Sequence, residues 1–175
     1  MRDGIVGSVI ALGMFDGMHI GHREVIGSAV ALAKQCGLQS VVYTFENHPR
    51  SVFAEAPSLL MTSEKRKEAM LEMGVDQVDM VRFTRELASL SPHAFLEALV
   101  SRWAVKAVVA GSDFTFGYKG EGTVETLRAL AGEFGYRVLE VPFVMLEGEK
   151  VSSTRIRKAL EEGRNALAEQ MLGKQ

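Results

Sequence analysis

The residues of this chain best suited to chemistry are His19 and His22, in Gly13-Met14-Phe15-Asp16-Gly17-Met18-His19-Ile20-Gly21-His22. Two imidazoles at that spacing suit half of a metal site, a helix cap, or a pair of contacts to phosphate. No further cluster of Cys and His supplies the other ligands that zinc takes, which disfavours the metal. The apolar run Val9, Ile10, Ala11, Leu12 reads as a strand, and a helical pattern follows the histidines. Strand, glycine turn and helix N-terminus together bind anions, because unpaired N–H groups and the helix dipole point at the ligand. Gly17 and Gly21 let a backbone approach that ligand closely, so phosphate contact is the expected role of both histidines.

A second candidate is Ser152-Ser153-Thr154-Arg155-Ile156-Arg157. A serine there caps a helix, but positive charge in a first helical turn opposes the dipole. An anion held among these residues would account for it, since Arg grips phosphate oxygens bidentately. The third is Gly111-Ser112-Asp113-Phe114-Thr115-Phe116-Gly117, in which Phe alternates with polar residues. It reads equally as an ordinary edge strand or as a ligand-facing one. If extended, it puts Phe114 and Phe116 on one face and Asp113 and Thr115 on the other.

The elements that must position these motifs alternate between strand and helix. Apolar spacing predicts a helix over Gly21–Cys36 stopped by Gly37, then a strand over Leu38–Phe45. A helix over Ser63–Met73 follows, with Ser63 as N-cap, then a short strand over Asp79–Phe83. Ser91-Pro92 starts a helix running through Ala94–Trp103, and Val105–Gly111 reads as a strand buried on both faces. The remaining elements are a helix over Thr123–Phe134, a strand over Arg137–Pro142, and helices over Ser153–Glu162 and Asn165–Leu172. This rhythm makes an α/β protein: a mostly parallel sheet of about five strands with helices on both faces. Ligands of such sheets bind beyond the carboxyl ends of the strands, where strand order reverses, so all three motifs should meet at one cleft.

Composition narrows the partners. The chain has 175 residues, 47% of them hydrophobic, enough for one domain and too few for two. With 20 basic and 22 acidic residues, bulk charge predicts no nucleic acid partner. No apolar run nears the roughly 20 residues that span a bilayer, so no membrane partner is expected. The absence of a leader and the single Cys36, read as a packed helix-face residue, predict a cytoplasmic location.

The three motifs, with Thr44-Phe45-Glu46-Asn47-His48-Pro49-Arg50, Phe83-Thr84-Arg85-Glu86 and Ser91-Pro92, resemble the adenylyltransferase domain of the bacterial bifunctional riboflavin kinase/FAD synthetase family. The resemblance runs in order over nearly the whole chain. His-x-Gly-His and the Ser-Ser-Thr-Arg-Ile-Arg run mark only the nucleotidyltransferase superfamily; the Asp-Phe-x-Phe-Gly and Thr-Phe-x-x-His-Pro segments narrow it to the flavin branch. It implies a Rossmann-like nucleotidyltransferase fold that makes FAD and pyrophosphate from ATP and FMN, with Mg²⁺ carried on the ATP phosphates. It further implies that His19, His22 and Arg157 act on the phosphates as catalytic residues. Gly13, Phe15, Asp16, Gly21, Ser152, Ser153 and Thr154 are implied to bind ATP, and Asp113, Phe114, Phe116, Gly117 and His48 to bind the flavin. Met14, Met18 and Asn47 depart from the family, which commonly has Asn or a small residue, Val, and Pro there. The C-terminal riboflavin kinase barrel usual in the family is expected to be missing, leaving one domain over 1–175. Another acceptor within the superfamily (nicotinamide mononucleotide, phosphopantetheine or a cytidylyl acceptor) and a non-catalytic flavin- or nucleotide-binding protein are the alternatives.

Overall fold

The computed structural model describes residues 6–174. Among them, five parallel strands form one sheet in the order β3-β2-β1-β4-β5: β1 Ser8–Leu12, β2 Gln39–Phe45, β3 Gln77–Val81, β4 Val105–Gly111 and β5 Arg137–Val141. β1 is central and wholly buried, as its unbroken apolar run requires. After β1 the chain builds β2 and β3 on one side, then crosses back to build β4 and β5 on the other. The carboxyl ends of β1 and β4 therefore flank the point where strand order reverses, as expected.

Helices cover both faces. On one, α1 (Ile20–Cys36) and α2 (Ser63–Glu72) bury Val25, Ile26, Ala29 and Met70 against β1, β2 and β4. On the other, α4 (Pro92–Trp103) and α5 (Val124–Phe134) bury Phe95, Leu96, Leu99 and Leu127. α6 (Ser153–Glu161) and α7 (Asn165–Leu172) pack on each other through Ile156, Ala159, Ala168 and Met171, with Ile20 and Leu60 against them. No helix among the described residues is long and apolar enough to cross a membrane.

Several sequence expectations need correction. Thr62 rather than Ser63 caps α2, its hydroxyl accepting from the Lys65 N–H at 3.3 Å. β3 begins two residues earlier than periodicity predicts, and the one-turn helix α3 (Arg85–Ala88) follows it. Lys106 of β4 is exposed, so that strand is not covered on both faces throughout. The residues after β4 form turns rather than an edge strand, closed by an antiparallel bridge between Phe116 and Gly122. The short hairpin of β6 (Met145–Leu146) and β7 (Glu149–Lys150) carries too few residues to show alternation. Cys36 is exposed, not packed: the buried stripe of α1 ends at Ala33, one turn before the helix runs past the sheet.

Candidate active site

The turn after β1 is held in a shape that few sequences adopt. Phe15 and Met18 have left-handed backbones, with φ of 54° and 48°, which cost a non-glycine residue about 1–2 kcal/mol. Burial of both side chains offsets that cost. The Met14 carbonyl is also gripped from two sides, by the Thr44 hydroxyl at 2.9 Å and Arg66 Nη1 at 2.6 Å. A Cβ at Gly13 would lie 2.8 Å from the Phe15 ring, so this position must stay glycine while that ring is buried.

His19 caps α1. Its Nδ1 accepts the His22 N–H at 3.2 Å, which assigns its proton to Nε2. The His19 and His22 rings stack 3.4 Å apart at 19°. Burial lowers the His19 pKa to about 4. His22 falls well below its ordinary value, through burial first and then the nearby His19 and Arg66. Both are therefore neutral rings rather than cations. The cap uses only one nitrogen of His19, which leaves its Nε2–H free of that role.

Asp16 is the knot of the site. Nearly fully buried, its carboxylate accepts from the N–H groups of Leu60 (2.9 and 3.1 Å) and Met61 (3.3 Å) and pairs with Arg157. Its backbone carbonyl accepts the Ser153 hydroxyl at 2.9 Å. Arg157 also donates to the Ser58 carbonyl at 3.0 Å. The ATP-side arginine expected from the sequence is thus committed to the wall, outside the cavity lining. Arg155 likewise wraps the β6–β7 hairpin, donating to the carbonyls of Leu146 (3.0 Å) and Glu149 (2.9 Å). These partners, rather than an anion alone, explain two arginines in the first turns of α6.

Two cavities open here. One, of about 320 Å³, is lined by the Gly13–Asp16 turn, His19, Gly21, His22, Asp113, Lys150 and Ser152–Thr154. The other, of about 710 Å³, is apolar and aromatic, lined by Tyr43, Phe45, Phe83, Phe95, Phe114 and Phe116, with Gly117 at its edge. Gly13 and Phe114 line both.

The sequence model of the FAD synthetase family matches residues 4–155. The chain belongs to that family. It is 40% identical over 172 residues to the bifunctional riboflavin kinase/FMN adenylyltransferase of Listeria monocytogenes, covering 96% of this chain and 54% of that protein. The protein of the same description from Bacillus subtilis is 38% identical over 170 residues, covering 95% and 53%. A crystal structure of a Streptococcus pneumoniae protein, described as a macrolide-efflux protein, superposes with a TM-score of 0.86 at 32% identity, over 96% of this chain and 55% of that one. The chain spans about half the length of each.

Within this FAD synthetase fold the expected residues divide. Gly13, Phe15, Asp16, His19, Gly21, His22, Ser152, Ser153 and Thr154 all border the smaller cavity. Asp113 and His48, expected at the flavin, border that same smaller cavity and not the aromatic one. The turn after Gly111 aims Asp113 across the mouth to pair with Lys150, and His48 faces inward while its Nδ1 caps the 3₁₀ turn Pro49–Val52. Phe114 and Phe116 do share a face, their rings stacked 5.7 Å apart. Phe116 is buried against Phe95, whereas Phe114 is only half-buried.

Sequence reasoning missed Lys150 and Arg66. Lys150 is the one cation among the residues that border the smaller cavity, and its ammonium lies 4.0 Å over the Phe143 ring. Arg66 is fully buried behind the turn, donating also to the carbonyls of Phe45 (2.7 Å) and Glu46 (3.3 Å). The signal for it was present: Arg66, Met70 and Met73 share the inward stripe of α2, where a charge needs a partner.

Unfolded imidazoles bind a proton near pH 6.5, whereas folded His19 does so only near 4 and burial holds His22 well below its ordinary value too. As pH falls through 6.5 the unfolded chain takes up protons first, so stability is full above about pH 7 and declines toward pH 4. Each histidine contributes at most about 1.4 kcal/mol per pH unit. Denaturant midpoints measured at about pH 7.5 and 5 should differ by more in the native protein than in His22→Asn; equal differences would show that His22 is not held neutral. Arg157→Ala leaves the buried Asp16 carboxylate with two N–H partners and no cation. It should destabilise by an amount at the low end of about 3–5 kcal/mol, read as a lower melting temperature, and an unchanged melting temperature would contradict the wall role.

Proposed function

We propose that this protein transfers the adenylyl group of ATP to FMN, giving FAD and pyrophosphate. The observation that carries the reading is the contact of two unlike cavities at Gly13 and Phe114, directly before a stacked pair of N–H-donating histidines. The smaller, polar cavity takes ATP and the aromatic one takes the isoalloxazine, so that the FMN phosphate meets the α-phosphorus at their shared wall. A planar aromatic acceptor fits eight aromatic lining residues better than nicotinamide mononucleotide, phosphopantetheine or a cytidylyl acceptor does.

An oxygen of the FMN phosphate attacks the α-phosphorus in line. The bond from that phosphorus to the bridging oxygen breaks, and pyrophosphate leaves with the electron pair. The nucleophile is already an anion, so no protein base or covalent adenylyl-enzyme is required. Negative charge grows on the leaving group, and fixed N–H donors answer it without reorganising. His19 and His22 donate from Nε2, α1 supplies its unpaired N–H groups, and Thr154 and Lys150 face the phosphate tail. Arg157 and Ser153 act one step back, by holding Asp16.

Among the described residues no group of three or more His, Cys, Asp and Glu is arranged to hold a metal. The Asp16 carboxylate is committed to the Leu60 and Met61 N–H groups and to Arg157, which leaves Asp113 as the carboxylate at the mouth. That donor set fits Mg²⁺ arriving on ATP, with Asp113 beside it, and the ion would neutralise charge on the phosphates. We place the reaction in the cytoplasm, where ATP and FMN are available.

Incubation of the purified protein with ATP, Mg²⁺ and FMN should yield FAD and pyrophosphate in equal amounts by chromatography. No FAD across a range of pH and divalent metals would overturn the proposal. Radiolabelled ATP given without FMN should leave no label on the denatured protein, and a labelled histidine would rule out direct displacement. Phe114→Ala should weaken FMN binding by about two- to tenfold with little change for ATP. Phe116→Ala should chiefly lower the melting temperature, because its ring is core. Equal loss of FMN and ATP binding in Phe114→Ala would remove Phe114 from the flavin site.

A further inference from the structure

β2 and β3 stop pairing before the chain leaves the sheet. Their ladder ends at Phe45 and Val81, and one more backbone bond runs from the Glu46 N–H to the Val81 carbonyl at 2.9 Å. The carbonyls of Phe45 and Glu46 are turned to Arg66, so the next N–H on the β3 side, that of Phe83, finds no strand carbonyl opposite. The side chain of Asn47 takes the place of a strand residue. Its Oδ1 accepts the Phe83 N–H at 2.8 Å and its Nδ2 donates to the Phe83 carbonyl at 3.1 Å. Nδ2 also donates to Ser51 Oγ at 3.2 Å, and that hydroxyl donates to the His48 carbonyl at 2.6 Å. A carboxamide has the donor and acceptor of a peptide group, and here it adds one rung to the sheet.

That rung joins the two walls of the aromatic cavity. Pro49, Arg50 and Phe53 follow Asn47 along one wall, and Arg85 and Leu87 follow Phe83 along the other. Among the described residues no other hydrogen bond crosses between residues 47–57 and 82–92. The remaining links are soft: the edge contact of Phe45 with Phe83 at 5.0 Å and Arg85 over the Phe53 ring at 5.7 Å. The other end of the first wall is moored elsewhere, at Ser58, Leu60 and Met61 by Arg157 and Asp16. The span between the moorings is therefore set at its near end by one side chain.

We propose that Asn47 is a positioning residue for the flavin acceptor, fixing the width of the aromatic cavity through its two hydrogen bonds to the Phe83 backbone. The inference rests on the function proposed above. The smaller cavity is built mainly by the turn after β1 and the start of α6, with His48 its single lining residue from this segment, so loss of the rung should act on the acceptor far more than on the nucleotide.

The test is binding of FMN alone, by quenching of its fluorescence, and of Mg²⁺-ATP alone, by calorimetry, with kcat and KM for each substrate. Asn47→Ala should raise the FMN Kd and KM about three- to tenfold, the worth of an ordinary hydrogen bond, with ATP values within about twofold of wild type. Asn47→Asp should do at least as much, because its second oxygen faces the Phe83 carbonyl. Ser51→Ala keeps both bonds to Phe83 and should bind FMN as wild type does. Wild-type FMN binding in both Asn47 variants, or equal losses for FMN and ATP, would overturn the inference. If Asn47→Ala does not stay folded, Asn47→Asp decides by the same two readings. Wild-type protein that binds no FMN would overturn the function itself, and this inference with it.

Discussion

A carboxylate buried from water has to be satisfied on every side, and Asp16 meets that demand by drawing two distant segments onto its own turn. Its partners are the Leu60–Met61 backbone before α2, and Ser153 and Arg157 of α6. The turn that bears the histidines is defined by where those segments must lie. The strained backbones of Phe15 and Met18 persist because this network and the core leave them no alternative. Gly17 lies beneath the same knot, where a Cβ would meet Leu60 at 2.9 Å.

The smaller cavity carries little mobile charge. His19 and His22 are neutral, Arg157 faces Asp16, Arg155 faces the hairpin, and Arg66 faces carbonyls behind the turn. What remains toward the smaller cavity is oriented N–H and O–H dipoles and the Lys150 ammonium. On the function proposed above, dipoles locked by surrounding hydrogen bonds need not turn when charge develops on the phosphates. Lys150 is the exception, a point charge on a flexible stem held by Asp113.

Local signals made the frame legible. Ser91-Pro92 and Thr123 begin helices where capping chemistry requires, Gly37 and Gly135 end them in left-handed backbones, and the apolar runs of β1 and β4 read as buried parallel strands. The reversal of strand order predicts that the turn after β1 and the Ser152–Thr154 segment meet at one cavity, and they do. What stayed hidden depends on partners far along the chain. Nothing near Arg157 shows that Asp16 will claim it, and nothing near Asn47 shows that Phe83 lies across from it. The resemblance places Asp113 at the flavin, whereas its side chain lines the smaller cavity, because the residues after Gly111 turn and carry it to Lys150. Cys36 was misjudged because a helical stripe says which face is inward, not where the sheet beneath it ends.

The Asp16–Arg157 pair bridges 141 positions of sequence. Contacts of such separation form late, after the intervening chain has lost most of its freedom. The smaller cavity is therefore incomplete in any intermediate in which the sheet has assembled but α6 has not docked. On the function proposed above, competence for nucleotide arrives together with the docking of α6.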